Sequence, residues 1–207
     1  ELGNSKELPG DYRYVDANGD GIIDDNDRMP LFWSGTPLIH YGFNLEASWK
    51  NFDIYALLQG AGMYTVQFSE VYAEVLWSKG ANTPAYFYDR WRKEDPYNPN
   101  SKWVAGKWPA TRLIQDTGAM YKESNIWRRD ASYLRLKTLE LGYTLPDSIL
   151  RKSGISNIRF YINGYNLLTF CDSFVKAFDP EKVEGSYSAG MNYPLTKSFN
   201  IGFTANF

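Results

Sequence analysis

The stretch IHYGFNLEASWKNFDIYALL, residues 39–58, decides the fold. Ile39, Tyr41, Phe43, Leu45, Ala47 and Trp49 alternate with His40, Gly42, Asn44, Glu46, Ser48 and Lys50. Period-two alternation puts one set on each face of an extended strand, one face apolar and one polar. The run is long against the ~5–6 residues usual for a globular strand. A tight turn at Lys50 and Asn51 leads into Phe52, Ile54, Ala56 and Leu58, a second apolar set. Together they predict a hairpin over residues 38–60.

Working outward, three more strands follow the same logic. Over residues 131–145, Leu134 and Leu136 keep one phase while Leu139, Leu141 and Tyr143 keep the other. A phase slip inside a strand predicts a β-bulge near Lys137 and Thr138. Pro146 ends that strand, and the stretch from Asp147 to Lys152 predicts a short helical turn stopped at Gly154. A strand over 157–168 carries Ile158, Phe160 and Ile162 on one face. The last strand alternates Phe199, Ile201, Phe203, Ala205 and Phe207 with Ser198, Asn200, Gly202, Thr204 and Asn206. Its apolar set is expected to face lipid, since a frayed polar end is the rule in soluble domains.

Between and before these strands the chain reads as loop. Residues 1–37 cluster Gly, Pro, Asn and Asp. Residues 61–130 begin with Phe68, Val71, Tyr72, Val75 and Leu76 at helical spacing, with Gly80 placed as a C-cap. Prolines 84, 96, 99 and 109 then interleave with Trp77, Trp91, Trp103 and Trp108. Loops this long are normally functional, and barrels carry their long loops on the extracellular side. The four tryptophans are the candidate substrate contacts; packing of the loops against one another is the competing role.

Composition narrows the class. The chain has 207 residues and a net charge of −2, which argues against a nucleic-acid partner. Its mean hydropathy of −0.46 and its lack of a long apolar run exclude a membrane-crossing helix. A barrel strand needs only ~10 alternating residues, so the membrane itself stays open. Aromatic residues make up 17%, with 7 Trp and 16 Tyr, matching either an interfacial girdle or a stacking surface. The single Cys171 permits no internal disulfide. Five strands cannot close a barrel, and open edges are not tolerated in lipid, so partner strands from a longer chain or a second chain are expected. An outer-membrane protein is exported, and the chain starts at Glu1 without a leader, so its N-terminal end is expected to lie upstream.

One site motif stands out. In DANGDGIIDDND, residues 16–27, oxygens fall at loop positions 1, 3, 5, 9 and 12, supplied by Asp16, Asn18, Asp20, Asp24 and Asp27. Ile22 at position 7 offers its backbone carbonyl, and Gly21 allows the sharp turn. This is the pattern of a calcium loop. Asp27 replaces the longer Glu at position 12, and no helices flank the loop, so a structural ion of weak, extracellular-type affinity is expected. The alternative is a set of Asx turns.

The strings DANGDGIIDDNDR (16–28), DRWRKEDPYNPN (89–100), DASYLRLKTLELGYTLP (130–146), IRFYINGYNLLTF (158–170), FDPE (178–181) and YPLTKSFNIGFTANF (193–207) stand in this order. As an ordered set they resemble the C-terminal region of the SusC/RagA family of TonB-linked outer-membrane transporters of Bacteroidetes. The resemblance implies an all-β fold, the C-terminal strands of a large 22-stranded transmembrane antiparallel barrel with long extracellular loops. It also implies an N-terminal plug through which TonB acts, expected to lie outside these 207 residues. A SusD-like surface lipoprotein lid, import of glycans, oligosaccharides or peptides, and a possible Ca2+ on Asp16, Asn18, Asp20, Asp24 and Asp27 follow in the same way.

Other functions were weighed. Among Asp89, Glu94 and Asp95 two carboxylates could form an acid/base pair for a glycosidase, but they sit in a run of mixed charge that reads as solvated surface. His40 lies on the polar face of a strand with no nucleophile pattern nearby. A soluble calcium-stabilised carbohydrate-binding β module would need a second sheet over the apolar faces. A passive porin or adhesin would use the same strands, but bulky aromatic loops favour capture over free diffusion.

Overall fold

A computed structural model describes residues 8–68, 83–111, 124–151, 154–181 and 192–207. The chain divides into two compact units, one of residues 33–66 and 129–207 and the other of residues 1–32 and 67–128. The helix expected from Phe68 to Gly80 lies outside the described residues, apart from Phe68 itself, and so does Trp77.

The first unit holds a five-stranded antiparallel sheet. Its strands are β1 (Ile39–Trp49), β2 (Phe52–Gly62), β7 (Tyr133–Thr144), β8 (Asn157–Phe170) and β9 (Ser198–Asn206), in that spatial order. Neighbours in the sheet follow one another among the long strands, the up-and-down order of a meander. The hairpin turn works because Lys50 takes the left-handed conformation, φ 55, while its ammonium rests 4.5 Å from the centre of the Trp49 ring.

The bulge expected near Lys137 is present. Leu57 pairs with Thr138 but Leu58 with Leu136, so Lys137 is the extra residue. It returns Leu134 and Leu136 to the face that carries Leu139, Leu141 and Tyr143. Strand β8 compensates with an irregularity of its own, where Asn166 adopts φ 55 between Tyr165 and Leu168. That irregularity carries β8 to Phe170, past the expected end at 168. The helical turn Asp147–Leu150 forms where expected, and Gly154 beyond it has φ 71.

The expectation of a strandless stretch over 61–130 is corrected. Among the described residues, four short strands lie in or beside it: β3 (Thr65–Gln67), β4 (Arg92–Lys93), β5 (Trp103–Val104) and β6 (Arg128–Asp130). β3 pairs with β6 and β4 with β5. The β4–β5 ladder clamps the proline-rich tip between them, where Asn98 N–H donates to the Asp95 carbonyl and Ser101 N–H to that of Asn98. Buried Phe68, Phe87, Trp108 and Trp127 give this second unit its core.

Candidate functional site

The sheet presents two unlike faces. Register places side chains in transverse rungs, and on one face every rung is apolar. Trp49, Phe52, Tyr143, Phe160 and Phe203 form one rung across all five strands. Ala47, Ile54, Leu141, Ile162 and Ile201 form the next, followed by Leu45, Ala56, Leu139, Gly164 and Phe199. The aromatic rung lies beside the short turns, with Phe52 and Tyr143 ring centres 4.7 Å apart and Phe160 and Phe203 6.1 Å apart. Toward the opposite end come Phe43, Leu58, Leu136 and Leu168, then Tyr41, Leu134 and Phe170. Tyr41 lies flat over Gly60 and donates its hydroxyl to the Tyr133 carbonyl at 2.7 Å. Any Cβ at residue 60 would occupy the space of that ring.

This face is open. Phe199 is 76%, Ile201 87%, Phe203 68% and Phe207 92% exposed. Among the described residues no second sheet covers it. An exposed apolar surface bounded by aromatic rings marks a face that lipid or further protein covers.

The other face is polar and cross-linked. From β8, Arg159 reaches across β7 to Asp53 on β2, donating Nε to Oδ1 at 3.1 Å and Nη2 to Oδ2. The same Nη2 donates to Glu140 on β7 at 2.8 Å. Glu140 in turn accepts from Asn163 at 3.1 Å, and Asn163 accepts from Asn200 on β9 at 2.9 Å. The chain of bonds therefore ties four strands together on one side. Two glycines make room for it. A Cβ at Gly142 would collide with the Arg159 guanidinium and the Asp53 carboxylate, and one at Gly202 would meet the Tyr161 ring. Nothing in the sequence periodicity singles out this network; the signal that could have found it is Arg and Glu recurring at polar-face positions of adjacent strands.

The loops carry the residues singled out from sequence. In the acidic loop, Asp16 accepts from the N–H groups of Gly19 at 2.6 Å and Gly21 at 2.8 Å. Asp27 accepts from Ala17 and Asp24, each at 2.8 Å. Asn18 accepts from the Asp20 N–H at 2.9 Å, and Asp20 from the Ile22 N–H at 2.8 Å. Asp24 caps a single 3-10 turn, Asp25–Asp27. The N–H of Asp24, more than any other group, holds the Asp27 carboxyl below the ordinary aspartate value; partial desolvation opposes it, and Ala17, Asn18 and the Asp16 side chain add to it.

No three acidic, His or Cys side chains converge as metal ligands among the described residues. The donor chemistry still fits a hard cation. Every candidate side-chain ligand is an oxygen, and an oxygen that accepts one N–H keeps a second lone pair.

The tryptophans part ways. Trp108 is buried, with its ring centre 5.3 Å from that of Trp127 and 5.6 Å from that of Phe87. This is the packing role. Trp103 is half-buried beneath the Lys93 ammonium, 4.7 Å from its ring centre, and half-buried Trp91 lies against Gly10. Trp127, Phe87 and Tyr86 complete the cluster and were not singled out from sequence.

A meander with a lipid-type face, an interfacial aromatic rung and a polar face is the wall of a transmembrane β-barrel. The relatives agree. The chain is 32% identical over 210 residues to TonB-dependent receptor P3 of Formosa agariphila, covering 96% of this chain and 19% of that receptor. It is 30% identical over 217 residues to TonB-dependent receptor P26 of the same organism, covering 97% of this chain and 20% of that receptor. Among solved structures, it resembles the RagAB peptide importer in its closed-closed state, with a TM-score of 0.63, 25% identity, and coverage of 95% of this chain and 20% of that one. No protein-family model matches the chain. Over nearly its whole length the chain is similar to TonB-dependent receptors, and it spans about a fifth of the length of the curated relatives it matches.

Proposed function

We propose that this chain is one stretch of wall in a TonB-dependent outer-membrane importer of the SusC/RagA type. The observation that carries the reading is the rung Trp49–Phe52–Tyr143–Phe160–Phe203, five aromatic or Tyr side chains in line across five strands at one end of an apolar face. Lipid covers that face, with the rung at the bilayer interface beside the short turns. The polar face borders the passage. The outer edges of β1 and β9 pair with further strands, because unpaired backbone in hydrocarbon costs several kcal/mol per group. The relatives are about five times as long as the aligned stretch, which is ample for those strands and for a plug on which TonB acts.

The imported substrate in this reading is a peptide or a glycan, captured under a SusD-like lipoprotein lid. The peptide side is supported by the likeness to the RagAB peptide importer. Trp91 and Trp103, only half-buried, are the loop rings this reading assigns to the ligand. The acidic loop takes Ca2+ on Asp16, Asn18, Asp20, Asp24, Asp27 and the Ile22 carbonyl. The ion would supply positive charge to four aspartates and stiffen the loop.

The test is uptake by cells carrying the full-length transporter, offered separately fluorescent oligopeptides and oligosaccharides, with and without TonB. TonB-dependent accumulation of one class supports the reading and names the class. A protein that remains in the aqueous phase on detergent partitioning, or uptake indifferent to TonB, would overturn it.

A further inference from the structure

Strand β8 does not run directly into β9. Residues 172–181 leave its end and fold back over the polar face, where Arg135 and Lys137 of β7 meet them. Arg135 Nη2 donates to Asp179 at 2.6 Å, and its Nη1 lies 3.2 Å from Glu181. Lys137 Nζ lies 2.8 Å from the other oxygen of Glu181. Arg135 is 3% and Asp179 4% exposed, so the pair is deeply buried. Tyr64 donates its hydroxyl to the Pro180 carbonyl at 3.0 Å, and the Arg129 guanidinium rests 5.5 Å from the centre of the Phe174 ring.

Three features make this segment a latched element and not an ordinary packed loop. Its hold is concentrated on one carboxylate. Asp179 accepts from Arg135, from its neighbour's N–H at Glu181 (3.0 Å) and from the Leu195 N–H at 2.7 Å, so one side chain pins both legs of the connection. That residue sits at φ 66, a left-handed backbone that aspartate tolerates better than most residues, and its carboxylate closes the turn on the Glu181 N–H. The bulge at Lys137 belongs to the same device. It lets Arg135 and Lys137 grip Glu181 from the polar side while the apolar phase of β7 is restored beyond them. Val175, in one helical turn capped by Asp172, and Pro180 are buried with it, and the Phe174 and Phe178 ring centres lie 5.4 Å apart.

We propose that residues 172–181 form a strap latched across the polar face by the Arg135–Asp179–Glu181–Lys137 cluster, and that loss of the latch lets the strap swing away from the wall as a unit. The import reading gives that face its name as the side of the passage; the latch itself stands on the contacts above. A segment that lies outside the sheet opens before the sheet does once its polar hub is gone.

The experiment uses the full-length transporter in intact cells, with Cys171→Ser to remove the native thiol and Val175→Cys as reporter under the strap. A membrane-impermeant maleimide reports exposure, and heat-modifiable migration on gels reports barrel assembly. With the latch intact, labelling is slow. Asp179→Asn together with Glu181→Gln accelerates it at least ~10-fold in assembled barrels, because an unpaired buried Arg135 shifts the opening equilibrium by more than a decade. Glu181→Gln alone, which leaves Arg135 on Asp179, gives a smaller acceleration and serves if the double variant fails to assemble. Fast labelling with the latch intact, or labelling unchanged in the assembled variants, overturns the proposal. Substrate uptake is not the readout, so a failed import reading and a failed latch are told apart.

Discussion

Arg159 grips Asp53 through both carboxylate oxygens, although the two residues stand on strands separated by β7. Glu140, on the intervening strand, shares the same guanidinium. One cation thus serves two carboxylates, and removing it leaves two like charges facing each other on the polar side. Arg159→Gln should lower barrel stability by about 1–3 kcal/mol, between the cost at an open surface and that in a dry core, since all three groups are only about a quarter exposed. Arg159→Lys keeps the charge and loses the two-oxygen fork, so it should fall between wild type and Arg159→Gln. The midpoint of urea unfolding of the full-length transporter in lipid vesicles measures both.

Gly142 is the hole through which Arg159 reaches. A valine there would occupy the place of the guanidinium and of the Asp53 carboxylate. Gly142→Val should therefore break the same bridge from the other side. In a double-mutant cycle, Gly142→Val adds little once Arg159→Gln is present. Full additivity of the two losses would mean that the glycine has another role. Gly202→Val, which meets the Tyr161 ring instead, reaches Arg159 only through that ring, 5.4 Å from the guanidinium, and should weaken the Asp53 bridge less than Gly142→Val does.

The strands were legible in the sequence because their information is local. Phe43, Leu45 and Ala47 declare a face by alternation alone, and the slip between Leu136 and Leu139 marks the bulge without any knowledge of the partner strand. The same locality hid the cross-strand chemistry. Nothing near Arg159 announces Asp53, 106 residues away, because register across three strands is set by turns and bulges together. The strap was hidden for the same reason: FDPE reads as loop until Arg135 is brought to it. In the long loops, tryptophan content was informative but roles were not. Trp108 and Trp103 have the same flanking chemistry, yet one is closed in by Trp127 and Phe87 and the other lies under Lys93.

The aromatic rung sets a depth scale that a substitution series can read. Phe203 lies on the interfacial rung, Ile201 one rung deeper and Phe199 two rungs deeper on the same strand. An arginine on the lipid face costs about 2–4 kcal/mol at the midplane and about 0–1 near the interface. Phe203→Arg should therefore be nearly silent, Ile201→Arg intermediate and Phe199→Arg the most damaging, as measured by folding titrations into bilayers. A flat or reversed order would place the face against protein and not lipid.

The acidic loop makes a pH prediction whose sign is set by Asp27. Its carboxyl is held below the ordinary 3.8 by hydrogen bonds from the loop's own backbone. A lowered folded value means that the loop's order is fully supported above the ordinary aspartate range and is lost as pH falls through the depressed value. At neutral pH the loop is thus held by charge-assisted bonds, and Ca2+ should tighten it further by relieving repulsion between the Asp16 and Asp27 carboxylates. In limited proteolysis of the full-length transporter, millimolar Ca2+ should slow cleavage within residues 16–28, with a midpoint on the order of 10⁻⁴–10⁻³ M. Mg2+ should do so far less, since it demands tight octahedral geometry from a loop of mixed ligands. Asp27→Asn removes both the charge at position 12 and one anchor of the loop, so it should abolish the Ca2+ effect and leave cleavage fast at every pH tested. Protection that is independent of Ca2+ and already complete at neutral pH would identify the motif as a hydrogen-bonded turn and nothing more.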